Sequence, residues 1–149
     1  MATQIIAWRK ADHLFGGIMN DELDAKLVAK YPKLFSRVTH TEMGDGWFDL
    51  VNELCAQLQG RADWIIAQKI RTDPDIDVEE LQPTVAQFKE KFGIARFYAD
   101  NLDSEMRGAI GMAEAMSYHI CEDCGNKATV STKGWIRRLC ASCSEIKNK

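Results

Sequence analysis

Long apolar segments are missing from the 149-residue sequence. Near the N-terminus, an apolar run of only four residues precedes Arg9 and Lys10, which is far shorter than the core of a secretion signal. No later segment approaches the roughly 20 apolar residues that a membrane-spanning helix needs. We therefore expect a protein of the cytoplasm that has no membrane partner.

Histidine is scarce, since only His13, His40 and His119 occur. The sequence contains neither the H-E-x-x-H pattern of metalloproteases nor the combination of H-x-E with P-C-x-x-C that zinc deaminases use. The phosphate-binding motif G-x-x-x-x-G-K-[ST] and the nucleophile motif G-x-S-x-G are also missing. Because this catalytic machinery is missing, we expect a protein that is not an enzyme.

No charge of one sign dominates, because 19 basic residues stand against 22 acidic ones. This balance excludes a uniformly basic nucleic-acid-binding protein, but it does not exclude a local basic patch. Residues 121–149 hold six basic and three acidic side chains, which leaves a net charge of −6 on residues 1–120. A basic surface is therefore expected in the C-terminal segment.

Five cysteines are present, and four of them form two C-x-x-C pairs, Cys121 with Cys124 and Cys140 with Cys143. Zinc prefers four tetrahedral ligands, and each C-x-x-C turn places two sulfur atoms on one side of the ion. Two pairs therefore complete the shell of one structural zinc ion and leave no position open for a substrate. The alternatives are buried or disulfide-linked pairs and a redox C-x-x-C, although the last would leave the second pair unexplained.

The fifteen residues between the two cysteine pairs have the composition of a hairpin. Residues 128–132 and 135–139 are strand-like, and Lys133-Gly134 suits the reversal between them. Gly125 suits a position of positive φ directly after the first pair. Together with the cysteine spacing, this pattern predicts a zinc ribbon with four cysteine ligands.

Several other residues could carry chemistry, but each has a simpler structural interpretation. His119 could replace a zinc ligand or hydrogen-bond a sulfur, whereas a histidine without a role is the blander interpretation. Asp45, Asp49 and Glu53 could form a carboxylate metal site, yet acidic residues at the start of a helix are ordinary partners of its dipole. Cys55 lies on an apolar helix face and is expected in the core rather than as a nucleophile. The same holds for three methionines of a later predicted helix: Met106, Met112 and Met116.

Apolar periodicity and capping signals predict the remaining elements. They indicate helices over residues 21–30, 47–71 and 84–92, a strand over 94–98 and a further helix from about residue 103 to the first cysteine pair. The second of these helices either runs on through Gly60 or is kinked there. The predicted fold class is α+β, with a mainly helical core, a small strand element and a C-terminal four-cysteine zinc ribbon. The expected domains are an N-terminal extension, the core and the ribbon: residues 1–20, 21–118 and 119–149.

Four residues of the predicted ribbon form a cationic and aromatic set: Lys133, Trp135, Arg137 and Arg138. Such sets contact phosphates and stack on bases in nucleic-acid-binding proteins. Strand alternation would place Trp135 and Arg137 on one face and Arg138 on the other, which weakens the case for a single patch. Solvated charge without a partner is the alternative interpretation.

Several stretches of the chain resemble a family of small, functionally uncharacterised zinc-ribbon proteins that tailed bacteriophages and prophages of enteric bacteria encode. The similar region covers about residues 30–143, and relatives often carry a histidine where this chain has Cys143. The resemblance rests on these segments: YPKLF at 31–35, GDGWFDL at 44–50, QFKEKFG at 87–93, RFY at 96–98, MAEAMS at 112–117, CEDCG at 121–125 and GWIRRLC at 134–140.

The resemblance implies a phage accessory protein that acts in the cytoplasm of the bacterial host. By analogy, accessory proteins of this size commonly bind a host or phage macromolecule. We expect a non-enzymatic binding module that modulates a host protein complex, such as a defence or replication system, through its zinc-stabilised surface. The alternative is a nucleic-acid-binding regulator that uses the basic ribbon.

Overall fold

A computed structural model describes residues 18–147 of the chain. Most of the expected N-terminal extension, residues 1–17, therefore lies outside the described residues. The last residues of that segment belong to the folded part, because Met19 is fully buried in the core and the side chain of Asn20 accepts a hydrogen bond from the Leu23 amide at 3.0 Å. Asn20 is thereby the N-cap of the first helix.

The described chain is a mixture of helices and short antiparallel strands. Two single-turn 3-10 helices, Asp45–Trp47 and Glu79–Leu81, precede the long helix and the first strand. In chain order the other elements are α1 Asp21–Lys30, α2 Phe48–Thr72, β1 Thr84–Lys91, β2 Ile94–Asp100, α3 Ser104–Ser117, β3 Val130–Ser131, β4 Arg138–Leu139 and α4 Ala141–Lys147.

The core forms around one face of α2. Its buried side chains recur three and four residues apart, so they form one stripe along the helix. The helix packs against α3, and the stripe belongs to one buried cluster with residues of α1 and the sheet. The helix continues through Gly60 to Thr72. The buried residues of α2 are Val51, Leu54, Cys55, Leu58 and Ala62.

The helix predicted over residues 84–92 is wrong, because this segment is strand β1 and pairs antiparallel with β2. Val85 and Phe88 are both buried although they are three residues apart. A β-bulge between Val85 and Gln87 inserts one residue and thereby moves Phe88 to the same face as Val85. The bulge reproduces the three-residue spacing of a helix, which explains the wrong prediction.

Side chains of α3 cover the free edge of β2. The Ala95 amide donates to the Ser117 hydroxyl at 2.8 Å, and the Phe97 amide donates to the Glu114 carboxylate at 3.1 Å. The strand predicted over 94–98 and the helix from about residue 103 are both present. Met106 is buried as predicted, but Met112 and Met116 are 66% and 45% exposed, so their assignment to the core is wrong.

Candidate metal centre

The four cysteines of the two C-x-x-C pairs come together in space. Their sulfur atoms all lie within 4.8 Å of one another, and the sulfurs of Cys124 and Cys140 are 3.6 Å apart. Four thiolates bound to one zinc ion at about 2.3 Å would have sulfur atoms roughly 3.8 Å apart. The cluster therefore fits a single metal ion. Among residues 18–147, no other group of three or more histidine, cysteine, aspartate or glutamate side chains lies close enough together to share an ion.

The first pair lies on a tight turn. The Gly125 amide donates to the Cys121 carbonyl at 2.9 Å, and the Cys121 amide donates to the Asn126 carbonyl at 2.7 Å. Gly125 has a φ of 79°, in the left-handed region that a side chain would strain. The prediction of a positive φ directly after this pair is thus confirmed.

The second pair lies at the junction of β4 and α4. Cys140 directly follows β4, and Cys143 lies in the first turn of α4. The Cys143 amide points at the Cys140 sulfur, 3.5 Å away. Backbone amides aimed at sulfur favour the thiolate form that binds metal.

The segment between the pairs turns back on itself over a shorter paired length than the sequence predicts. β3 and β4 contain two residues each, with Val130 opposite Leu139. Beyond them, the Thr132 amide donates to the Arg137 carbonyl at 3.1 Å, and the Arg137 amide donates to the Thr132 hydroxyl at 2.8 Å. Gly134, with a φ of 76°, occupies the reversal as expected.

Two glycines that precede α2 bring the core against the first cysteine pair. The Gly46 amide donates to the Glu122 carbonyl at 2.9 Å. A Cβ atom added to Gly46 would lie 2.1 Å from the Cys121 carbonyl oxygen, and one added to Gly44 would lie 2.1 Å from the Glu122 carbonyl oxygen. Only glycine leaves room for this approach. No role was predicted for these two glycines. The one sequence feature that could have indicated a close backbone approach is the G-D-G segment before a long helix.

Trp47 adds a second connection between the core and the cysteine cluster. Its side chain is fully buried, and its indole nitrogen donates to the Ile120 carbonyl at 2.9 Å. The backbone of residues 120–122 thus accepts hydrogen bonds from the segment that begins α2. The first cysteine pair is therefore joined to the core by two hydrogen bonds, one from a backbone amide and one from an indole nitrogen.

Among the carboxylates considered as an alternative metal site, Asp45 has a structural role. The Asp45 carboxylate accepts hydrogen bonds from the Asn20 backbone amide at 2.7 Å and from the Asn20 side-chain amide at 2.9 Å. Asp49 and Glu53 belong to no group of potential metal ligands among residues 18–147. His119 is exposed and lies outside the cysteine cluster.

Arg137 and Arg138 are buried in internal contacts instead of forming an exposed cationic surface. Arg137 forms an ion pair with Glu122 and another with Asp123, at 2.6 Å. Burial raises the pKa of Glu122 to about 7, against the opposing effect of the Arg137 charge. Arg138 lies over the Tyr118 ring, 4.0 Å from its centre, and also donates to the Tyr118 carbonyl at 3.0 Å.

The rest of the predicted cationic and aromatic set is at the surface. Lys133 is exposed, and the Trp135 side chain is 69% exposed. The structure therefore separates the set into a buried pair of arginines and an exposed tip, which we define as residues 133–136. We call this segment the ribbon tip, after the ribbon that the sequence predicts.

Comparison of the chain with protein-family models, curated proteins and solved structures finds no match. Among residues 18–147, no helix combines the length and the apolar composition needed to cross a bilayer.

Proposed function

We propose that the cysteine cluster holds one structural zinc ion in a zinc ribbon, and that the protein is a non-enzymatic binding module for another protein. Soft thiolates in a tetrahedral arrangement favour zinc over magnesium or calcium, which prefer oxygen ligands. Four protein ligands fill the zinc shell, so no position remains for a water or substrate molecule. The ion would therefore stabilise the fold and take no part in a reaction.

The observation that carries the binding function is the exposure of apolar side chains at one place. Trp135 and Phe92 are each 69% exposed, and Ile136 is 42% exposed. All three line one cleft. Clustered exposed apolar residues commonly indicate an interaction site, whereas single ones do not. Tryptophan is also among the residues that contribute most to protein interfaces.

A phage accessory role rests on the resemblance to phage and prophage zinc-ribbon proteins. Under this proposal, the partner is a host protein complex, such as a defence or replication system, or a phage protein. Nucleic-acid binding by the ribbon is less favoured, because Arg137 and Arg138 are engaged inside the protein. Few exposed cations then remain at the ribbon tip to contact phosphates.

The binding proposal is tested by capture of partners from bacterial lysate with nuclease present, followed by mass spectrometry. Trp135→Ala should remove the captured partner. Trp64→Ala is the matched control, because Trp64 is also largely exposed, at 55%, but lies on α2. Equal capture by the Trp135→Ala variant and the wild-type protein would contradict the proposed surface.

The zinc proposal is tested by elemental analysis of the purified protein. We expect about one zinc per chain, which Cys124→Ser should remove. Cys55→Ala is the matched control, since Cys55 is buried in the core and does not belong to the cysteine cluster. A folded protein without metal, or a loss of zinc in Cys55→Ala, would contradict the assignment.

A further inference from the structure

We propose that the cleft between Phe92 and Trp135 receives one large apolar side chain from an acidic segment of a partner protein. This inference rests on the proposed binding function and specifies the chemistry that the binding site recognises. The cleft lies between two turns of the chain. One is the ribbon tip, and the other is the turn between β1 and β2, residues 92 and 93, which we call the hairpin tip.

The size of the cleft selects a side chain over a small molecule. The cleft encloses about 230 Å³ and is lined by six residues. Sites for cofactors and drug-sized ligands usually enclose about 300–1,000 Å³. A smaller cleft with apolar walls suits one aromatic or long aliphatic side chain, which is how anchor residues enter pockets in protein interfaces. The lining residues are Glu90, Lys91, Phe92, Gly134, Trp135 and Ile136.

The hairpin tip is preorganised for this contact. Phe92 has a φ of 54° and Gly93 one of 77°, and left-handed backbone at a phenylalanine is uncommon. The Gly93 amide donates to the Glu90 carboxylate at 2.6 Å, which closes the turn. The Phe92 side chain nevertheless remains exposed to solvent. The turn therefore holds an apolar ring that contributes little buried area to the core.

The ribbon tip packs directly against the hairpin tip. A Cβ atom added to Gly93 would lie 3.4 Å from Cγ2 of Ile136 and 3.1 Å from Cγ of Arg138. The Thr132 hydroxyl also donates to the Trp135 carbonyl at 2.5 Å, which restrains the reversal. Both walls of the cleft are therefore held in place before a partner arrives, which lowers the entropic cost of binding.

The charge around the cleft favours an acidic partner. Lys91 lines the cleft, and Lys133 directly precedes the lining residue Gly134. Both lysines are exposed, and neither forms an ion pair with another residue in the described part of the chain. The ammonium group of Lys91 lies 5.9 Å from the centre of the Phe92 ring. Glu90 is the one acidic residue that lines the cleft, and its carboxylate accepts the Gly93 amide. Carboxylates beside an inserted anchor would complement these lysines.

The test is a nitrogen-15 NMR titration of the full-length zinc-loaded protein with short synthetic peptides. Each peptide carries one central Trp, Leu or Ala between Asp and Glu residues, and a second set carries Lys in place of the acidic residues. We expect saturable shifts of the Phe92, Gly134 and Trp135 resonances with the acidic Trp and Leu peptides. The acidic Ala peptide should bind at least about tenfold more weakly, because it lacks the anchor.

Two variants test the charge and the anchor site separately. Lys91→Glu with Lys133→Glu should weaken the acidic Trp peptide at least about tenfold and improve the Lys-flanked one. Phe92→Ala should weaken both without changing zinc content. Equal binding of the Ala peptide, preference for Lys flanks, or no saturable shift at millimolar acidic peptide would overturn the inference. Tighter binding of oligothymidine at the same resonances would overturn it in favour of nucleic acid.

The failure of this inference is distinguishable from failure of the proposed function. If Trp135→Ala removes the captured partner but no acidic peptide occupies the cleft, the binding function stands and the acidic anchor is wrong. If Trp135→Ala captures the partner normally and no peptide binds, both are wrong.

Discussion

Gly46 lies where no side chain fits, because its α-carbon faces the backbone of the first cysteine pair. A Cβ atom there would be 2.1 Å from the Cys121 carbonyl oxygen and 2.7 Å from the Cys124 amide nitrogen. We expect Gly46→Ala to push this turn away from the core and destabilise the protein by about 1–3 kcal/mol. Zinc affinity should fall roughly 10–100-fold, as when supporting groups around a metal are removed. Chelator competition and chemical denaturation measure the two effects.

Gly60→Ala is the matched control for this substitution. Gly60 lies within α2, and a Cβ atom added there meets nothing within 4 Å. Alanine should stabilise the helix by roughly 0.5–1 kcal/mol relative to glycine and leave zinc affinity unchanged. If both variants lost zinc equally, the close approach at Gly46 would not be the cause.

Cys55 should differ from the other four cysteines in reactivity. Burial raises the pKa of its thiol to about 12, so the thiol stays protonated and unreactive near neutral pH. We expect iodoacetamide at pH 8 to leave Cys55 unmodified in the native protein, whether or not a chelator is present. Chelation should expose the cluster cysteines to the reagent. Peptide mass spectrometry identifies each modified site, and rapid alkylation of Cys55 before denaturation would contradict its burial.

Strand β1 contributes Phe88 to the core, whereas Phe92, in the turn that follows it, lies at the surface. Phe88 is 1% exposed, and its ring meets that of Phe97 edge to face, with the centres 4.9 Å apart. Phe88→Ala should destabilise the protein by about 3–5 kcal/mol. Phe92→Ala should change stability by less than about 0.5 kcal/mol, because that ring is largely exposed. Urea unfolding separates the two, and a large loss for Phe92→Ala would show that the hairpin tip is needed for the fold.

Element type was predictable from the sequence wherever one period held without interruption. The long helix α2 has a regular apolar stripe, and α1 and α3 have clear N-caps in Asn20 and Asp103. Strand β1 was predicted as a helix because its bulge imitates helical spacing, and short-range patterns contain no information about a pairing partner. The core assignment of Met112 and Met116 in α3 was wrong for a related reason, since a helix with one covered side exposes some of its apolar residues.

The cysteine cluster was predictable, whereas its surroundings were not. A C-x-x-C pair fixes its own geometry within a few residues, so spacing alone identifies the four cysteines that come together. Contacts such as Gly46 with Glu122 join residues that are far apart in the chain. The burial of Arg137 likewise depends on acidic partners from the first pair, Glu122 and Asp123. A strand pattern cannot distinguish such an arginine from one in solvent.

Under the zinc proposal, removal of the metal should destabilise the whole molecule and not only the cysteine cluster. The Gly46 amide and the Trp47 indole donate to the carbonyl groups of Glu122 and Ile120. Loss of the metal would displace these two carbonyl groups and thereby weaken hydrogen bonds of the core. We expect chelator to lower the melting temperature of the main transition by several degrees and to shift the Trp47 fluorescence. Calorimetry with and without zinc measures this. An unchanged core transition in the metal-free protein would contradict the coupling.

Nucleic-acid binding by the whole protein should be weak. The negative charge outside the ribbon opposes phosphates, and both arginines of the ribbon are engaged internally. We expect dissociation constants no better than about 10⁻⁴ to 10⁻⁶ M for DNA or RNA at physiological salt. Electrophoretic shifts measure this. A nanomolar shift in about 150 mM salt that Lys133→Glu abolishes would make the ribbon tip a nucleic-acid-binding surface.

The hydrogen bond from the Trp47 indole to the Ile120 carbonyl has a consequence for how such a chain can be divided or recombined. A fragment ending at residue 118 would leave this buried donor without its acceptor, at a cost of about 1–3 kcal/mol, and would uncover the backbone of Gly44 and Gly46. The C-terminal segment moved to another protein would lose the hydrogen bonds that Gly46 and Trp47 donate to it. Neither segment would therefore keep its hydrogen bonds if recombination moved it alone into another gene. We expect the two segments to be inherited together.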